Sequence, residues 1–385
     1  MRWAKAGTNQ SITPAVADTG LTIVGAGVVG LAVAARLARR VKDLIVIERR
    51  ERHGQEASSR NSEVIHAGLY YPTGSLKATL CVRGNRLLYE AARRQGLPHR
   101  ATGKLIVAME KDEIPELERL LARACANGVE LRMLTADESR ALEPNVPAVA
   151  ALWSPATGVI GAHGLMDFLL HQAREHGAIL QARAELVAIE RRDADYALTL
   201  LTPDGNETFT SERVVNAAGL EADTVAALAG IDVDAAGYRL HWCKGSYFAV
   251  APRKAGFLSR LVYPVPGPVS LGVHAVLDVA GRLKFGPDAE YLPERRLDFT
   301  VDPARRGAFA EGVRRLLPAI DADDLTPDMA GIRAKLQGPG DGYRDFVVRE
   351  ETERGLPGFV NLVGIDSPGL TSALALAEKV DALLS

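Results

Sequence analysis

The stretch LTIVGAGVVGLAVAARL, from Leu21 to Leu37, decides the fold class of this chain of 385 residues. Its first four residues form a short apolar run typical of a buried strand, and strong helix formers follow the glycines. The next apolar run, DLIVIE, predicts a second strand that ends at Glu48. Strand, glycine turn, helix and strand in this order predict a βαβ unit of the Rossmann type, which binds dinucleotides.

The three glycines of this unit have separate predicted roles. Gly25 makes the tight turn, Gly27 lets backbone N–H groups approach a pyrophosphate, and Gly30 lets the helix pack closely on the strand. The helix N-terminus adds a partial positive charge for the phosphates. Glu48 stands 18 residues after Gly30 and is expected to accept hydrogen bonds from a ribose diol.

Charge and cysteine content argue against several other classes of protein. The net charge is −2 and the arginine clusters are interleaved with acids, so nucleic acid is not an expected partner. Cys81, Cys125 and Cys243 are far apart, which predicts neither a disulfide framework nor a zinc site. No HExxH motif occurs, and no metal is predicted. A reducing compartment fits best, and we expect a cytoplasmic protein.

Residues 1–20 contain no apolar run, so they are predicted to be a mobile extension rather than a secretory signal. The run at 21–37 is apolar enough for a membrane span, but its glycine spacing and arginine-rich end favour the βαβ unit. No other segment has the length and hydropathy of a span, so no transmembrane segment is predicted. A peripheral contact with a membrane stays compatible with the sequence.

Apolar patterns along the chain predict an interleaved organisation. Elements of the nucleotide-binding type occur in three separated segments, 21–95, 150–235 and 330–385. Between them, 96–149 and 236–329 predict a substrate domain in which short strands alternate with turns. The expected fold class is α/β (α+β), with a Rossmann-type domain assembled from separated segments and an inserted, mostly antiparallel β-sheet domain.

The stretch NSEVIHAGLYYPTGS, residues 61–75, surrounds His66 with small and apolar residues. Together with GAGVVG, NAAG, LGVH and SPGLT, this run resembles the FAD-dependent oxidoreductases of the D-amino-acid oxidase and glycine oxidase superfamily. Within it the sequence is most similar to L-2-hydroxyglutarate dehydrogenases and oxidases, which have a related NSxVIHAGxYYxxGSLKAxLC run. The resemblance extends over about residues 20–380. It implies an FAD cofactor covered by a sheet-based substrate domain.

The resemblance also implies which residues lie along FAD. Glu48 and Arg49 would face the adenosine ribose, and the backbone of Val187 would pair with the adenine. SPGLT would meet the pyrimidine edge of the flavin. The full set of implied cofactor-binding residues is Gly25, Gly27, Val29, Gly30, Glu48, Arg49, Ser59, Arg60, Asn61, Ser62, Val64, Val187, Ala217, Gly219, Arg333, Gly369, Leu370 and Thr371.

A helix is predicted to begin at SPGLT, with Ser367 as its N-cap and Pro368 in its first turn. A helix N-terminus carries about half a positive charge. At the flavin edge that charge would favour the anionic reduced ring.

Oxidation of a 2-hydroxy acid moves a hydride from the α-carbon to flavin N5 while a base takes the hydroxyl proton. Histidine suits this role because its pKa lies near neutral pH. His66 and His274 are the two candidates, one as the base and the other as a hydrogen-bonding partner of the substrate oxygen, and the sequence does not distinguish them.

Substrate carboxylates require fixed cations. Arg333 is expected to hold the α-carboxylate, since its planar guanidinium binds a carboxylate through two hydrogen bonds. Lys335 is two residues further on and would point to the same side of a strand. Lys284 and Lys244 are candidates for a distal carboxylate. The hydrogen-bond donors proposed beside them are Tyr247, Tyr70 and Tyr71.

Two alternatives remain open from the sequence. A C–N oxidation of an amino acid or secondary amine would keep the same fold, although a neutral amine needs no strong base and His66 therefore favours the alcohol. An NAD-dependent dehydrogenase or a nucleotide sensor would be expected to continue with regular βαβ units after Glu48, where a loop intervenes here.

Glu63 departs from the family pattern and is expected to add a negative charge close to the site. The electron acceptor, oxygen or a quinone, is not specified.

Overall fold

The computed structural model describes residues 17–266 and 273–385. Most of the predicted N-terminal extension lies outside the described residues. Its last part is held in place, because Thr19 bridges to Ser211 and the Asp18 carboxylate accepts a hydrogen bond from the Thr210 N–H group at 2.8 Å. These last residues therefore contact the folded chain, and the mobility predicted for residues 1–20 stays a prediction.

The elements of the described chain alternate between strands and helices. The strands are β1 (Leu21–Val24), β2 (Leu44–Glu48), β3 (Val64–Ile65), β4 (His99–Arg100), β5 (Lys104–Ala108), β6 (Arg132–Thr135), β7 (Ala150–Ser154), β8 (Gly158–Ile160), β9 (Ile179–Ala182), β10 (Glu185–Arg191), β11 (Tyr196–Thr202), β12 (Gly205–Ser211), β13 (Val214–Asn216), β14 (His241–Val250), β15 (Leu261–Pro264), β16 (Ala275–Leu277), β17 (Leu283–Phe285), β18 (Glu290–Tyr291), β19 (Leu325–Lys335), β20 (Val347–Glu351) and β21 (Leu356–Val363). The α-helices are α1 (Val28–Leu37), α2 (Leu76–Gln95), α3 (Ile114–Ala126), α4 (Ala136–Leu142), α5 (Ala162–Glu175), α6 (Ala222–Leu228), α7 (Arg306–Leu316) and α8 (Gly369–Leu383). Short 3₁₀ turns lie at Ala57–Ser59, Lys111–Glu113, Gly219–Glu221, Pro252–Lys254, Pro303–Arg305, Ala322–Asp324 and Thr352–Arg354.

A six-stranded sheet contains the predicted βαβ unit. Its strand order is β20-β21-β13-β1-β2-β9, and β1 pairs in parallel with β2 on one side and with β13 on the other. The apolar faces of α1, α5 and α8 form one buried cluster with this sheet. Strands from the start, middle and end of the chain therefore meet in one sheet, which confirms the predicted assembly from separated segments.

A nine-stranded sheet forms the second layer. Its order is β18-β14-β17-β16-β15-β5-β7-β6, and β19 pairs with β14. The pairing is antiparallel except between β5 and β15, so the prediction of a mostly antiparallel sheet is confirmed. The predicted segment boundaries at residues 150 and 330 fall within this sheet, because β7 and all of β19 belong to it.

Helix α2 connects the His66 loop to the rest of the molecule. Ser75 caps its start by accepting a hydrogen bond from the Ala78 N–H group at 3.2 Å, and Gly96 ends it with a left-handed φ of 66°. A Cβ on Gly84 would lie 2.1 Å from the Thr371 carbonyl oxygen, so α2 and α8 approach each other at a distance that only glycine permits. This contact brings the His66 loop beside the start of α8.

Candidate active site

The glycine turn after β1 has the tight geometry that its spacing predicts. Gly25 has a φ of 101°, and a Cβ there would lie 2.6 Å from the Ala217 carbonyl oxygen. A Cβ on Gly30 would lie 2.0 Å from the Gly25 carbonyl oxygen. Side chains at these positions would push α1 away from the sheet. Because both residues are glycines, α1 packs closely on the sheet and no side chain covers the backbone at its start.

Glu48 closes the turn from the end of β2. Its carboxylate accepts hydrogen bonds from the Ala26 N–H group at 3.0 Å and from the Arg50 N–H group at 2.8 Å. Arg49 is held beside it by ion pairs with Glu56 at 2.8 Å and Glu221 at 3.4 Å. Both predicted ribose-facing residues line one cavity of about 230 Å³.

A second cavity of about 280 Å³ continues from the first, and both are lined by Gly27, Ala217 and Gly219. The predicted residues that line the second cavity are Gly27, Val29, Arg60, Asn61, Ser62, Val64, His66, Ala217, Gly219, Tyr247, His274, Arg333, Gly369, Leu370 and Thr371. The two cavities form one elongated cleft from the end of β2 to the start of α8. Most of the residues predicted around the cofactor are therefore brought together.

Ser58, rather than Ser59, reaches the cleft. The Val28 N–H group at the start of α1 donates to the Ser58 hydroxyl at 2.9 Å, and Ser58 lines both cavities. The Ser59 hydroxyl donates instead to the Glu56 carbonyl oxygen at 3.1 Å, and the lining of neither cavity includes Ser59. The prediction was one residue out because the 3₁₀ turn at Ala57–Ser59 decides which serine faces inward.

Val187 lies at an irregular point of β10. The pairing between β10 and β11 goes from Leu186 to Ala188 and leaves Val187 out of the register. Its side chain is 38% exposed, and Leu186 is the member of this pair that lines the first cavity. The bulge leaves the Val187 backbone outside the strand pairing. The contact of this backbone with an adenine stays a prediction.

The backbone of His66 is fixed from two helices. Its N–H group donates to the Thr371 hydroxyl at 3.0 Å, and its carbonyl oxygen accepts from the Asn85 side chain at 2.9 Å and from the Cys81 thiol at 3.5 Å. These bonds come from α8 and α2 on either side of the loop. The imidazole is thereby presented to the second cavity from a rigid backbone.

The surroundings of His66 favour its neutral form. Burial, and secondly the charge of Lys104, lowers the pKa of His66 from 6.5 to about 3. Its buried Nδ1 atom has no hydrogen-bond partner within the described part of the chain. A neutral imidazole is the form that accepts a proton, and the lowered pKa also makes it a weaker base than a free imidazole.

His274 faces the same cavity from the nine-stranded sheet. It lies just before β16 rather than within a strand, and it is 7% exposed. Its ring stacks on Tyr263 with a centroid separation of 3.6 Å and an angle of 9°. Tyr263 lines the cavity too, and its position was not predictable from the sequence because a tyrosine within an apolar strand has the pattern of a core residue.

Arg333 is held in place by backbone carbonyl groups. Its Nη2 atom donates to the Asp288 oxygen at 2.6 Å and to the Lys244 oxygen at 3.1 Å, and Nε donates to the Cys243 oxygen at 3.3 Å. Its Nη1 atom donates to no acceptor among residues 17–266 and 273–385. The guanidinium therefore enters the cavity with a fixed orientation and with donor capacity that an anionic ligand can use.

Three tyrosines line the cavity as hydrogen-bond donors. Burial raises the pKa of Tyr247 to about 12 and holds the pKa values of Tyr70 and Tyr71 above their usual range. All three hydroxyls therefore stay protonated at neutral pH. Their predicted role as donors to the oxygens of a bound ligand stays a prediction.

The comparisons with known proteins agree with this geometry. Residues 21–383 match the model of the family described as FAD dependent oxidoreductase. The chain belongs to this family. It is 37% identical to the L-2-hydroxyglutarate dehydrogenase, mitochondrial, of Arabidopsis thaliana, over 93% of the chain and 82% of the relative. It is 26% identical to the L-2-hydroxyglutarate dehydrogenase of Escherichia coli strain K12, over 94% and 93%.

Among solved structures, the L-alpha-glycerophosphate oxidase of Mycoplasma pneumoniae with FAD bound superimposes with a TM-score of 0.85. It is 26% identical and the match covers 95% of this chain and 94% of that chain. The glycine oxidase of Geobacillus kaustophilus has the same fold, with a TM-score of 0.77 and 22% identity. The predicted family and fold class are confirmed, and the protein is an FAD-dependent oxidoreductase.

The cleft fits FAD. The dinucleotide is elongated, and the two joined cavities offer the Glu48 carboxylate at one end and the start of α8 at the other. Between them, a Cβ on Gly27 would lie 2.9 Å from Ser58 Oγ, so the backbone comes as close as only glycine allows. The described residues contain no group of three His, Cys, Asp or Glu side chains suited to a metal.

The start of α8 differs in one detail from the prediction. The N-cap is Pro368, not Ser367, and no side chain caps the helix. The first α-helical hydrogen bond runs from the Ser372 N–H group to the Pro368 carbonyl oxygen at 2.9 Å. Gly369, Leu370 and Thr371 of the first turn line the cavity. The partial positive charge of the helix N-terminus can therefore stabilise negative charge on the flavin ring of FAD.

The predicted distal cations lie outside the cavity lining. Lys284 Nζ lies 5.3 Å from the centroid of the Tyr247 ring, and Lys244 is paired with Asp298 at 2.9 Å. Lys335 ends β19 and is also absent from the lining. The sequence predicted these lysines at the substrate carboxylates. In the structure, Lys284, Lys244 and Lys335 do not line the cavity.

Two acidic residues near the cleft have partners that the sequence did not reveal. Glu63 accepts a hydrogen bond from the Ala162 N–H group at 2.8 Å and so caps α5, which turns its charge away from the cavity. Asp366 does line the cavity, and its carboxylate pairs with Lys77 at 2.9 Å. The charge expected from Glu63 is therefore absent from the lining, and Asp366 supplies a paired one.

No helix within the described ranges has the length and hydropathy needed to cross a bilayer.

Proposed function

We propose that the protein oxidises a 2-hydroxy acid, L-2-hydroxyglutarate or a related hydroxy dicarboxylate, to the corresponding 2-oxo acid. The observation that carries this proposal is the presence of His66, His274 and Arg333 around one cavity beside the start of α8. The names of the relatives from Arabidopsis thaliana and Escherichia coli support the same substrate. Bound FAD supplies a two-electron acceptor that takes a hydride from the substrate C–H bond.

Arg333 binds the α-carboxylate in this proposal. Carbonyl groups of Cys243, Lys244 and Asp288 already hold the guanidinium, so little side-chain entropy is lost on binding. A fixed carboxylate sets the distance of the α-carbon and its hydroxyl from the two histidines. Orientation of this kind accounts for a large share of catalysis in two-reactant steps.

His66 removes the hydroxyl proton in this proposal, and His274 donates a hydrogen bond to the same oxygen. The neutral ring of His66 can accept a proton, and its backbone is fixed by Thr371 and Asn85. The stacking of His274 on Tyr263 restricts its ring plane. Loss of the proton to His66 leaves the electron pair on oxygen that forms the carbonyl as the hydride departs.

The test is an anaerobic screen of flavin bleaching with the FAD-loaded protein. The panel contains both enantiomers of 2-hydroxyglutarate, shorter 2-hydroxy acids, glycerol 3-phosphate, glycine and D-alanine. We expect rapid loss of the flavin absorbance with L-2-hydroxyglutarate and slow or no loss with the amino acids. If the amino acids bleach the flavin and the hydroxy acids do not, the protein is assigned to C–N oxidation instead.

Glycerol 3-phosphate belongs in the panel because one relative, from Caloramator mitchellensis, is named glycerol 3-phosphate dehydrogenase and is 29% identical. It is also a secondary alcohol with an anionic group.

Reoxidation of the reduced protein by air or by a soluble quinone, followed by absorbance, would identify the electron acceptor. Cytoplasmic location stays a prediction from composition, while the plant relative is named mitochondrial.

A further inference from the structure

Lys104 is a fully buried lysine beside two aromatic rings of the cavity wall. It begins β5 in the interior of the nine-stranded sheet, its side chain is 0% exposed, and its ammonium group has no hydrogen-bond partner within the described residues. Lysine is among the residues least often buried, because removing its charge from water is costly without an acceptor. The burial of Lys104 therefore calls for an explanation other than packing.

The surroundings of Lys104 connect it to the cavity wall. Its Nζ atom lies 4.6 Å from the centroid of the Tyr70 ring and 4.6 Å from that of the Tyr263 ring. Both rings line the cavity, and Tyr263 also stacks on His274. A cation between two aromatic rings is attracted to both. Lys104 thus holds together two parts of the wall, one from the His66 loop and one from the sheet.

We propose that Lys104 is a positioning residue of the oxidation, which holds Tyr70 and Tyr263 at the cavity wall and places a positive charge behind the candidate base His66. This inference rests on the proposed role of His66 as the base. Lys104 itself is absent from the cavity lining, so it acts through its neighbours and not by contact with the substrate.

The sign of the electrostatic effect follows from the charges around Lys104. Burial lowers the pKa of Lys104 to about 7, and the Cys81 thiol opposes this shift. Lys104 is therefore a cation on the acidic side of neutral pH, and its charge adds to the larger effect of burial in lowering the pKa of His66. The rings that face it are Tyr70 from the loop after β3 and Tyr263 from β15, and His274 before β16 stacks on Tyr263. His66 from the loop after β3 and Cys81 from α2 interact with its charge.

The first test compares Lys104→Met and Lys104→Gln with the wild type in the FAD-loaded, oxidised state. Proteins labelled on the histidine rings are titrated by NMR, with His66→Gln used to assign the His66 signal. Loss of a nearby cation should raise the pKa of His66, by about one unit or more. An unchanged His66 titration in both variants would overturn the proposal, since a purely structural role changes thermal stability without moving this titration.

The second test measures the rate of anaerobic flavin reduction at saturating substrate against pH. The acid limb should move to higher pH in Lys104→Met, with a reduction rate about tenfold lower on that limb and a smaller difference above neutral pH. A moved NMR titration with an unmoved rate profile would show that His66 is not the base, which separates failure of the proposed function from failure of this inference.

A wild-type measurement covers the case in which neither variant folds. Carbon-13 labelling of the lysine side chains lets the ammonium groups be titrated individually. We expect the Lys104 ammonium group to stay protonated over the pH range in which His66 titrates. A Lys104 signal that is already neutral over that range would overturn the proposal, because an uncharged amine exerts no charge effect on His66 or on the two rings.

Discussion

The Thr371 hydroxyl joins the start of α8 to the backbone of His66. It accepts the His66 N–H group at 3.0 Å and donates to the Val64 carbonyl oxygen at 3.1 Å. Thr371 is fully buried, so both bonds are shielded from water. One side chain thus fixes the candidate base relative to the helix end that faces the cofactor cleft.

Replacement of Thr371 by valine should therefore displace His66 while leaving FAD bound. Valine keeps the branched shape but leaves an N–H group and a carbonyl oxygen buried without partners, which costs about 1–3 kcal/mol for each group. We expect a lower melting temperature and flavin reduction slower by on the order of tenfold, since small displacements at a reacting centre have large effects. Stopped-flow reduction and thermal melts measure the two effects.

Thr371→Ser is the matched control for this experiment. Serine keeps the hydroxyl that makes both bonds and loses only a methyl group, so its reduction rate should stay near that of the wild type. Equal losses in the serine and valine variants would mean that the methyl contact, and not the hydrogen bonds, positions His66.

The two histidines can be separated by paired substitutions. His66→Gln and His274→Gln both keep the side-chain volume and both remove the titrating ring. Loss of a general base lowers a rate by about 10²–10⁴-fold. We expect this range for His66→Gln in anaerobic flavin reduction at neutral pH, and a smaller loss with weaker substrate binding for His274→Gln. The reverse order of the two losses would exchange the assigned roles.

Gly30→Ala tests the close packing behind the glycine turn. Its Cβ would lie 2.0 Å from the Gly25 carbonyl oxygen and 3.4 Å from the Ala217 Cβ, so α1 must move away from β1. Overpacking of this kind costs about 1–3 kcal/mol. We expect a lower melting temperature and purification with much less than one FAD per chain, measured by absorbance after denaturation.

Gly307→Ala is the control, because it makes the same change within α7 at a position where a Cβ would meet nothing within 4 Å. Alanine is the better helix former, so stability should be equal or slightly higher and FAD content unchanged. An FAD-replete Gly30→Ala protein with wild-type stability would contradict the role assigned to this glycine.

The parts of the fold and site that were predictable from the sequence depend on local spacing. The turn at Gly25 to Gly30 follows from the spacing of three glycines between an apolar strand and a helix. The pairing of distant strands does not. Strand β7 joins the nine-stranded sheet because its partners β5 and β6 are there, and no property of residues 150–154 alone reveals this.

Side-chain direction was the other part that local patterns could not supply. Glu63 has a φ of 57°, and its carboxylate reaches the start of α5, whose position depends on the whole domain. Lys104 stands at the edge of the apolar run LIVA, where a lysine normally reaches water. Its burial results from the strands on either side of β5 and from the rings of Tyr70 and Tyr263.

Arg333→Lys tests whether a fixed guanidinium holds the substrate carboxylate. Lysine keeps the charge but cannot reproduce the fork that donates to three backbone carbonyls and to a ligand. Loss of a charged hydrogen bond costs about 1.5–3 kcal/mol, which corresponds to binding weaker by roughly 10- to 100-fold. The dissociation constant of the 2-oxo acid product, measured from perturbation of the oxidised flavin spectrum, reports this effect without turnover.

Lys284→Met serves as the control for the binding measurement, because Lys284 also carries a positive charge on the substrate sheet but lies outside the cavity lining, against Tyr247. Its variant should bind the product within a few-fold of the wild type. If Lys284→Met weakens binding as strongly as Arg333→Lys, the distal carboxylate reaches further into the sheet than the cavity lining indicates. In that case Lys284 regains the role that its sequence position suggested, and the carboxylate site has two cations instead of one.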